Sequence, residues 1–326
     1  VDGYLGRQRD ASRPDRRGGS GRAHEDGRQR LYRTLESRAG RDLCGDRALH
    51  AGRDRSWSQA ILVLGEKLTA RADCGERRES LVSVLDVRGV VKSFSGLEVI
   101  ANLDFSVEAG ERRLIIGPNG AGKTTLFNLI TGEIAPDQGS VRLFGRDITR
   151  LPGWRRAHLG MTRTYQIITL FPDDSLLRNI SLSLLGLMPL RWNPLIRLEK
   201  LEAITAAARD ILTSVGLEHM ENRPLRETAY GDQRRVEIGM ALAQRPRLML
   251  LDEPFAGLSV DERTDIKELL KSIPPEVTII MIEHDMDVAL EFAERISLMH
   301  FGEMVFEGSR AEVVDHPRTR EIYLGE

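Results

Sequence analysis

Residues 113–130, RLIIGPNGAGKTTLFNLI, constrain this chain more than any other stretch. A continuous apolar run reads as a strand buried on both faces, a glycine-rich turn follows it, and apolar residues resume at once as a helix. The turn is Gly117-Pro118-Asn119-Gly120-Ala121-Gly122-Lys123-Thr124-Thr125, a match to GxxxxGK[ST]. Its glycines let successive backbone N–H groups face inward around a polyphosphate, and a side chain at Gly122 would block that approach. The helix behind offers its positive N-terminus. Lys123 would then bridge the β- and γ-phosphates, and the Thr124 hydroxyl would hold Mg²⁺.

The remainder of the second part of the chain agrees with a layered α/β protein. Residues 84–87, 103–107 and 141–144 alternate as half-buried strands, 248–251 (LMLL) reads as a buried strand, and a further strand is expected at 277–282. Residues 203–215 form an amphipathic helix, within a pattern that turns helical between 173 and 217. Further helices are expected near 261–272 and 286–295. Strands alternating with helices predict a three-layer α/β core with an inserted helical part.

A second chemical signal lies at residues 247–254 (RLMLLDEP), an apolar strand ending in two carboxylates. Strand alternation sends Asp252 and Glu253 to opposite sides, so they are expected to do different jobs. Asp252 suits the Mg²⁺ shell beside Thr124, and Glu253 suits a base that polarises the attacking water.

Composition separates a first segment from this core. The 326 residues carry 47 Lys and Arg against 49 Asp and Glu, so no global basic field points to nucleic acid as a partner. That balance hides an asymmetry: residues 1–80 hold seventeen Arg and one Lys against thirteen acidic residues, five charges positive, and the remainder is seven negative. This Arg- and Gly-rich extension lacks apolar periodicity apart from a short run at 60–64. It is expected to be either a disordered arm or a stretch translated from a misassigned start. The adjacent Arg77 and Arg78 permit a ribosome-binding sequence just upstream of Val82, a codon that can initiate. The folded domain is then 81–326. The extension lacks the apolar core of a secretory signal, and the longest apolar stretch, 180–190, is broken by two Ser and Pro189. With only Cys44 and Cys74, a disulfide scaffold is excluded, as suits a reducing cytosol.

With these motifs in this order, residues 83–326 resemble a nucleotide-binding subunit of the ABC (ATP-binding cassette) transporters. The resemblance implies a P-loop NTPase (RecA-like) core with an antiparallel β subdomain and an inserted α-helical subdomain at about 167–245. Phe94 matches the adenine-stacking aromatic, Gln166 the glutamine that senses Mg²⁺ and water, and His284 the switch histidine at the γ-phosphate. Singly, Phe94 reads equally as core, Gln166 as a loop polar group and His284 as a strand end; their joint order carries the assignment. The signature that such subunits offer in trans is usually LSGGQ. Here the matching stretch is Thr228-Ala229-Tyr230-Gly231-Asp232, followed by Gln233, with only Gly231 a literal match. The loss of the hydroxyl at Ala229 and the presence of Ser259 in place of a carboxylate predict weaker coupling between paired sites. Two cassettes are expected to pair head to tail around two ATP molecules.

The AYGDQRR stretch, TRTYQ at 162–166, EPFAGL after the carboxylates, MIEHDMDV and the terminal IYLG look like the ATPase subunits of branched-chain amino acid importers. ATPases for urea or short amides, and those of lipopolysaccharide export, share parts of this pattern. The implied partners are membrane permease subunits, a second cassette and, through the permease, an extracytoplasmic solute-binding protein. The implied location is peripheral, on the cytoplasmic face of the plasma membrane. The apolar run 167–171 is the expected permease-facing surface, with internal packing as its alternative.

Overall fold

The computed structural model describes residues 83–166, 170–193, 197–198, 201–284 and 291–324. The extension 1–80 and its boundary lie outside them.

The chain opens with two long strands, β1 Ser83–Phe94 and β2 Leu97–Glu108, joined by a two-residue turn. Ser95 and Gly96 both have positive φ there, which matches the twist of the strands they join. After β3 Arg112–Ile116 and the glycine-rich loop comes α1 Lys123–Thr131, then β4 Gln138–Leu143, β5 Arg146–Asp147, the short α2 Gly153–Ala157 and β6 Met161–Arg163. A helical part follows: α3 Leu176–Gly186, α4 Glu202–Ser214 and α5 Tyr230–Ala243. The chain then returns through β7 Leu248–Asp252, α6 Val260–Ser272 and β8 Thr278–Ile282. It ends with β9 Arg295–His300, β10 Glu303–Gly308, α7 Arg310–Asp315 and α8 Pro317–Leu324.

Two sheets result. One is antiparallel, in the order β2-β1-β4-β5; the other runs β10-β9-β3-β8-β7-β6, parallel throughout except for β10 at its edge. The continuous apolar runs of β3, β7 and β8 are explained by burial on both faces. Leu114, Met249, Leu251, Ile279 and Met281 pack towards the helical part. Their alternating neighbours Ile115, Leu248, Leu250, Ile280 and Ile282 pack with α1 and the antiparallel sheet. The three-layer core with its helical insertion is therefore as expected.

One expectation requires correction. The helix expected near 286–295 is present at Glu291 and Phe292, with 286–290 outside the described residues, but it stops before Arg295, which is the first residue of β9 and pairs with Arg113 in the parallel ladder. No Gly or Pro stands between 286 and 295 to mark the change from helix to strand. The alternation that follows, with Ile296 and Leu298 in one core cluster and Met299 in the other, identifies the strand.

α1 is fixed at its far end by Arg156 of α2. This side chain is 1% exposed and donates to the carbonyls of Leu129 and Ile130 at 2.7 and 2.6 Å, and to Leu151 and Thr149 at 2.8 and 3.2 Å. A cation there complements the negative helix terminus. Burial lowers its pKa to about 10, opposed by Asp147.

Candidate nucleotide and hydrolysis site

The glycine-rich loop is squeezed between β2 and β9. A Cβ on Gly117 would lie 2.1 Å from the Met299 carbonyl oxygen, and one on Gly122 would lie 3.0 Å from Ile100, Met299 and the Val99 carbonyl. Only glycine fits at either position, and both have positive φ. On the other side, a Cβ at Gly120 would meet nothing within 4 Å, and Asn119 is exposed. The loop therefore has a backed face and an open face, the form a phosphate cradle needs. Ala121 donates to Pro118 O at 3.2 Å and accepts from Gly302 N at 2.9 Å, which ties the loop to the β9–β10 turn.

Lys123 is 7% exposed, and its ammonium donates to the carbonyls of Gly117 and Pro118 at 2.6 and 3.0 Å. Burial lowers its pKa, while the charges of Glu253 and Asp252 oppose that shift. Thr124 is exposed at the start of α1 and Thr125 is half-buried. Phe94 lies at the tip of the β1–β2 hairpin, 45% exposed, with the Lys92 ammonium 5.4 Å from its ring centre. The same hairpin touches the loop through Val99 and Ile100. An accessible flat face near the loop is what an adenine-stacking residue requires.

The two carboxylates diverge. Asp252, 2% exposed, accepts at Oδ2 from Arg163 Nη2 at 2.8 Å, and its pKa is raised by burial against the opposing pull of Arg163. Glu253 faces the other way, between two polar groups: Gln166 Nε2 donates to its Oε2 at 2.8 Å, and His284 Nδ1 lies 3.4 Å from its Oε1. Its backbone has φ +47, the left-handed region, with its N–H donated to Ile282 O. Three expected residues from three separate loops thus meet at one carboxylate.

The signature stretch opens α5. Ala229 is the N-cap without a side-chain hydrogen bond, as its missing hydroxyl implies. Gly231 N donates at 3.0 Å to Glu262 Oε1, and Glu262 also closes the capping box of α6 with Ser259. Gln233 folds back to the carbonyls of Thr228 and Leu225, Asp232 approaches Arg235 at 4.0 Å, and Tyr230 is 41% exposed.

Several site residues were given no role by sequence reasoning. Arg163, 6% exposed in its side chain, joins Asp252, Asn128 and Glu133 and lies over the rings of Phe127 and Tyr165. Arg234 and Glu237 form a buried pair on α5. A buried charge placed between two motif positions is the only signal that could have drawn attention to them, and burial is not visible in the sequence.

A parallel strand feeding a glycine cradle and helix, with a parallel strand that ends in Asp-Glu one position further along the same sheet beyond β8, defines a phosphate-loop nucleotide-binding protein. The profile of the ABC transporter family matches residues 100–256. The high-affinity branched-chain amino acid transport ATP-binding protein BraF of Pseudomonas aeruginosa is 37% identical over 251 residues, 74% of this chain and 98% of that protein. The corresponding LivG of Escherichia coli K12 is 34% identical over the same shares. Among solved structures, a nucleotide-free ATP-binding cassette from an ABC transporter is 31% identical with a TM-score of 0.66, covering 75% of this chain and all of that one. A cassette in a dimeric post-hydrolysis state with ADP and Pi is 25% identical with a TM-score of 0.60, covering 69% of this chain and 98% of that one. The chain belongs to the ATP-binding subunits of the ABC transporters, a family of ATPases.

Proposed function

We propose that this chain hydrolyses ATP at the site formed by Lys123, Gln166, Glu253 and His284, and that this powers import of branched-chain, hydrophobic amino acids through a membrane permease. The observation that carries the hydrolytic part is Glu253, held between Gln166 and His284 beside the phosphate loop. The substrate class rests on the names of relatives that share nearly their whole length with this chain.

The residues divide the work. Residues 117–125 take the phosphates on backbone N–H groups and the start of α1, and Phe94 takes the base. Lys123 exchanges its two carbonyl partners for phosphate oxygens, which restores the solvation that burial removed. Glu253 accepts the water proton, Gln166 orients that carboxylate, and His284 faces the γ-phosphate. The available donors suit Mg²⁺: the Thr124 hydroxyl, the Gln166 amide oxygen and the Asp252 carboxylate, all hard oxygens. Among the described residues no group of three His, Cys, Asp or Glu is disposed to hold a metal, and Mg²⁺ characteristically combines one or two carboxylates with phosphate oxygens. When bound, the ion neutralises charge developing on the phosphates.

Within the signature stretch Ala229, Tyr230, Gly231, Asp232 and Gln233, the polar contacts of Gly231, Asp232 and Gln233 go to Glu262, Arg235 and the carbonyls of Leu225 and Thr228, none of them a residue of the phosphate loop. This supports a head-to-tail pair of cassettes, each signature serving the other's ATP. A groove of about 1000 Å³ supports a permease partner; Trp154, His158, Phe171, Leu187, Trp192 and Met240 line it. Phe171 is 53% exposed and follows Gln166 by five residues, whereas Leu170 is partly buried and packs against the core, and 167–169 lie outside the described residues. Among the described residues no helix is long and apolar enough to cross a membrane, in keeping with a peripheral subunit on the cytoplasmic face. The solute-binding protein belongs to the same reading.

Two measurements test it. Glu253→Gln keeps shape but removes basicity, so phosphate release is expected to fall about a hundredfold or more while ATP still binds; near-normal turnover would move the base elsewhere. Cells carrying Phe171→Glu are expected to lose leucine uptake while the purified protein keeps its basal hydrolysis. Normal leucine uptake after deletion of the gene would remove this substrate class and turn attention to urea, short amides or lipopolysaccharide.

A further inference from the structure

α5 is fastened to the catalytic groups of its own chain. One turn inside the helix, Arg234 is fully buried, and its Nη1 donates to Glu237 Oε2 at 2.5 Å and to the Tyr165 carbonyl at 2.8 Å. Its Nη2 donates to the carbonyl of Glu253 at 3.0 Å. Glu237, 6% exposed, uses its other oxygen to accept the Tyr165 N–H at 2.8 Å. One ion pair therefore holds Tyr165 by both backbone groups and Glu253 by its carbonyl. Tyr165 directly precedes Gln166. Glu253 sits at positive φ with its N–H bound to Ile282 O and its carbonyl accepting from the Ala256 N–H, and Arg234 adds a side-chain bond to that carbonyl from another element.

Packing does not require this arrangement. Taking a guanidinium and a carboxylate out of water is costly, and apolar side chains of similar volume fill such a space at least as well. Arg234 Nε even remains without a partner inside the protein. What a hydrophobic pair cannot supply is directional bonding to two different loops, each carrying a group of the hydrolysis site. A lysine would lack the planar fork that reaches three acceptors at once.

We propose that Arg234 and Glu237 are a positioning pair: they set the placement of Gln166 and Glu253, and they transmit to them what binds at Gly231, one turn away on the same helix. The transmitting half rests on the reading that the signature turn receives a phosphate of the partner cassette's ATP. Nucleotide in one site then sharpens the water-activating carboxylate of the other.

The test uses the full chain and the double variant Arg234→Met/Glu237→Leu, which removes both charges and strands neither. Its melting midpoint is expected at or above that of the wild type, and its KM for ATP within about twofold. Its kcat is expected to fall tenfold or more, and the Hill coefficient for ATP to fall from above one to one. A merely structural pair would move the midpoint and leave a folded variant active. Should the double variant fail to fold, Arg234→Lys, which retains the charge, is expected to show the same split of kcat against KM. Either variant, folded and with kcat within twofold of wild type, overturns the positioning role. Lost kcat with an unchanged Hill coefficient overturns the transmission. A wild-type chain that does not hydrolyse ATP would instead remove the reading beneath, an outcome recognised before any variant is made.

Discussion

The phosphate loop and the signature turn are both glycine-bearing entrances to a helix, and they differ in what stands at the door. At α1 the loop is backed by β2 and β9 so tightly that Gly117 and Gly122 admit no side chain, while the front is open. At α5 the crowding comes from the end of one flexible side chain: a Cβ on Gly231 would meet Glu262 Oε1 at 2.5 Å, and the same oxygen already takes the Gly231 N–H. The first entrance is a cavity shaped by backbone; the second is a helix terminus that the chain's own carboxylate covers. A rigid cradle must be spelled out residue by residue, which is why its motif is literal. A terminus offering N–H groups tolerates substitution around a single glycine.

The largest expected effect that sharpens this contrast is on nucleotide affinity. Lys123→Ala removes a desolvated cation from the cradle and is expected to weaken ATP binding by roughly tenfold to a hundredfold, the worth of a hydrogen bond to a charged group. Gln233→Ala, in the signature, is expected to leave the affinity of an isolated cassette unchanged. Titration with ATP measures both, and equal losses would erase the distinction.

Next comes stability. Gly117→Ala drives a methyl into the Met299 carbonyl at a left-handed backbone and is expected to cost about 3 kcal/mol. Gly231→Ala needs only Glu262 to swing away, and alanine is the better helix former, so its change is expected to stay within about 1 kcal/mol of wild type. Urea unfolding of the two variants decides it; similar midpoints would mean the loop yields more than its packing suggests.

The smallest effect concerns the covering carboxylate. Hydrogen bonds from the Ser259 N–H and hydroxyl, with a lesser one from Gly231, hold the Glu262 carboxyl below the usual range. A depressed carboxylate contributes stability that is present above its unfolded pKa and lost as pH falls through its folded pKa. Glu262→Gln should therefore lose less than about 1 kcal/mol at neutral pH, since the group is largely solvated. That deficit should shrink towards zero as both proteins are titrated down through the carboxylate range. A deficit that stayed constant with pH would assign the effect to shape instead of charge.

The same contrast explains what could be read before the fold was known. Residues 117–125 and 248–253 were legible because their chemistry is local: a strand, a turn and the next few side chains make the site between them. Glu253 could be picked out from the strand it ends, Gln166 and His284 only through their order in the resemblance to the family, and their meeting at one carboxylate follows from the parallel neighbours β8, β7 and β6 ending on one edge. Arg156, Arg163, Arg234 and Glu237 were not legible as functional or structural parts. Arg156 and Arg234 bond largely to main-chain carbonyls of other elements, and a carbonyl has no letter in a sequence. Leu170 and Phe171 are adjacent apolar residues, yet the first is partly buried against the core and the second exposed, a distinction the letters do not carry.

The guanidinium at the closed end of α1 also has a consequence in time. Arg156 fastens the last carbonyls of the helix, and the amides of Gly132, Glu133 and Ile134 all converge on Asn128 O, so this end cannot fray without opening the layer beneath it. At the other end, residues 118–121 are tied by few bonds and can open locally. Amide hydrogens along the loop and the short helix it enters should therefore exchange with solvent deuterium on two clocks, slow near Thr131 and fast near Gly120. Nucleotide would retard only the fast one, so the arrival of ATP is recorded as a levelling of exchange from the loop through α1, with the far end of the helix as the fixed reference.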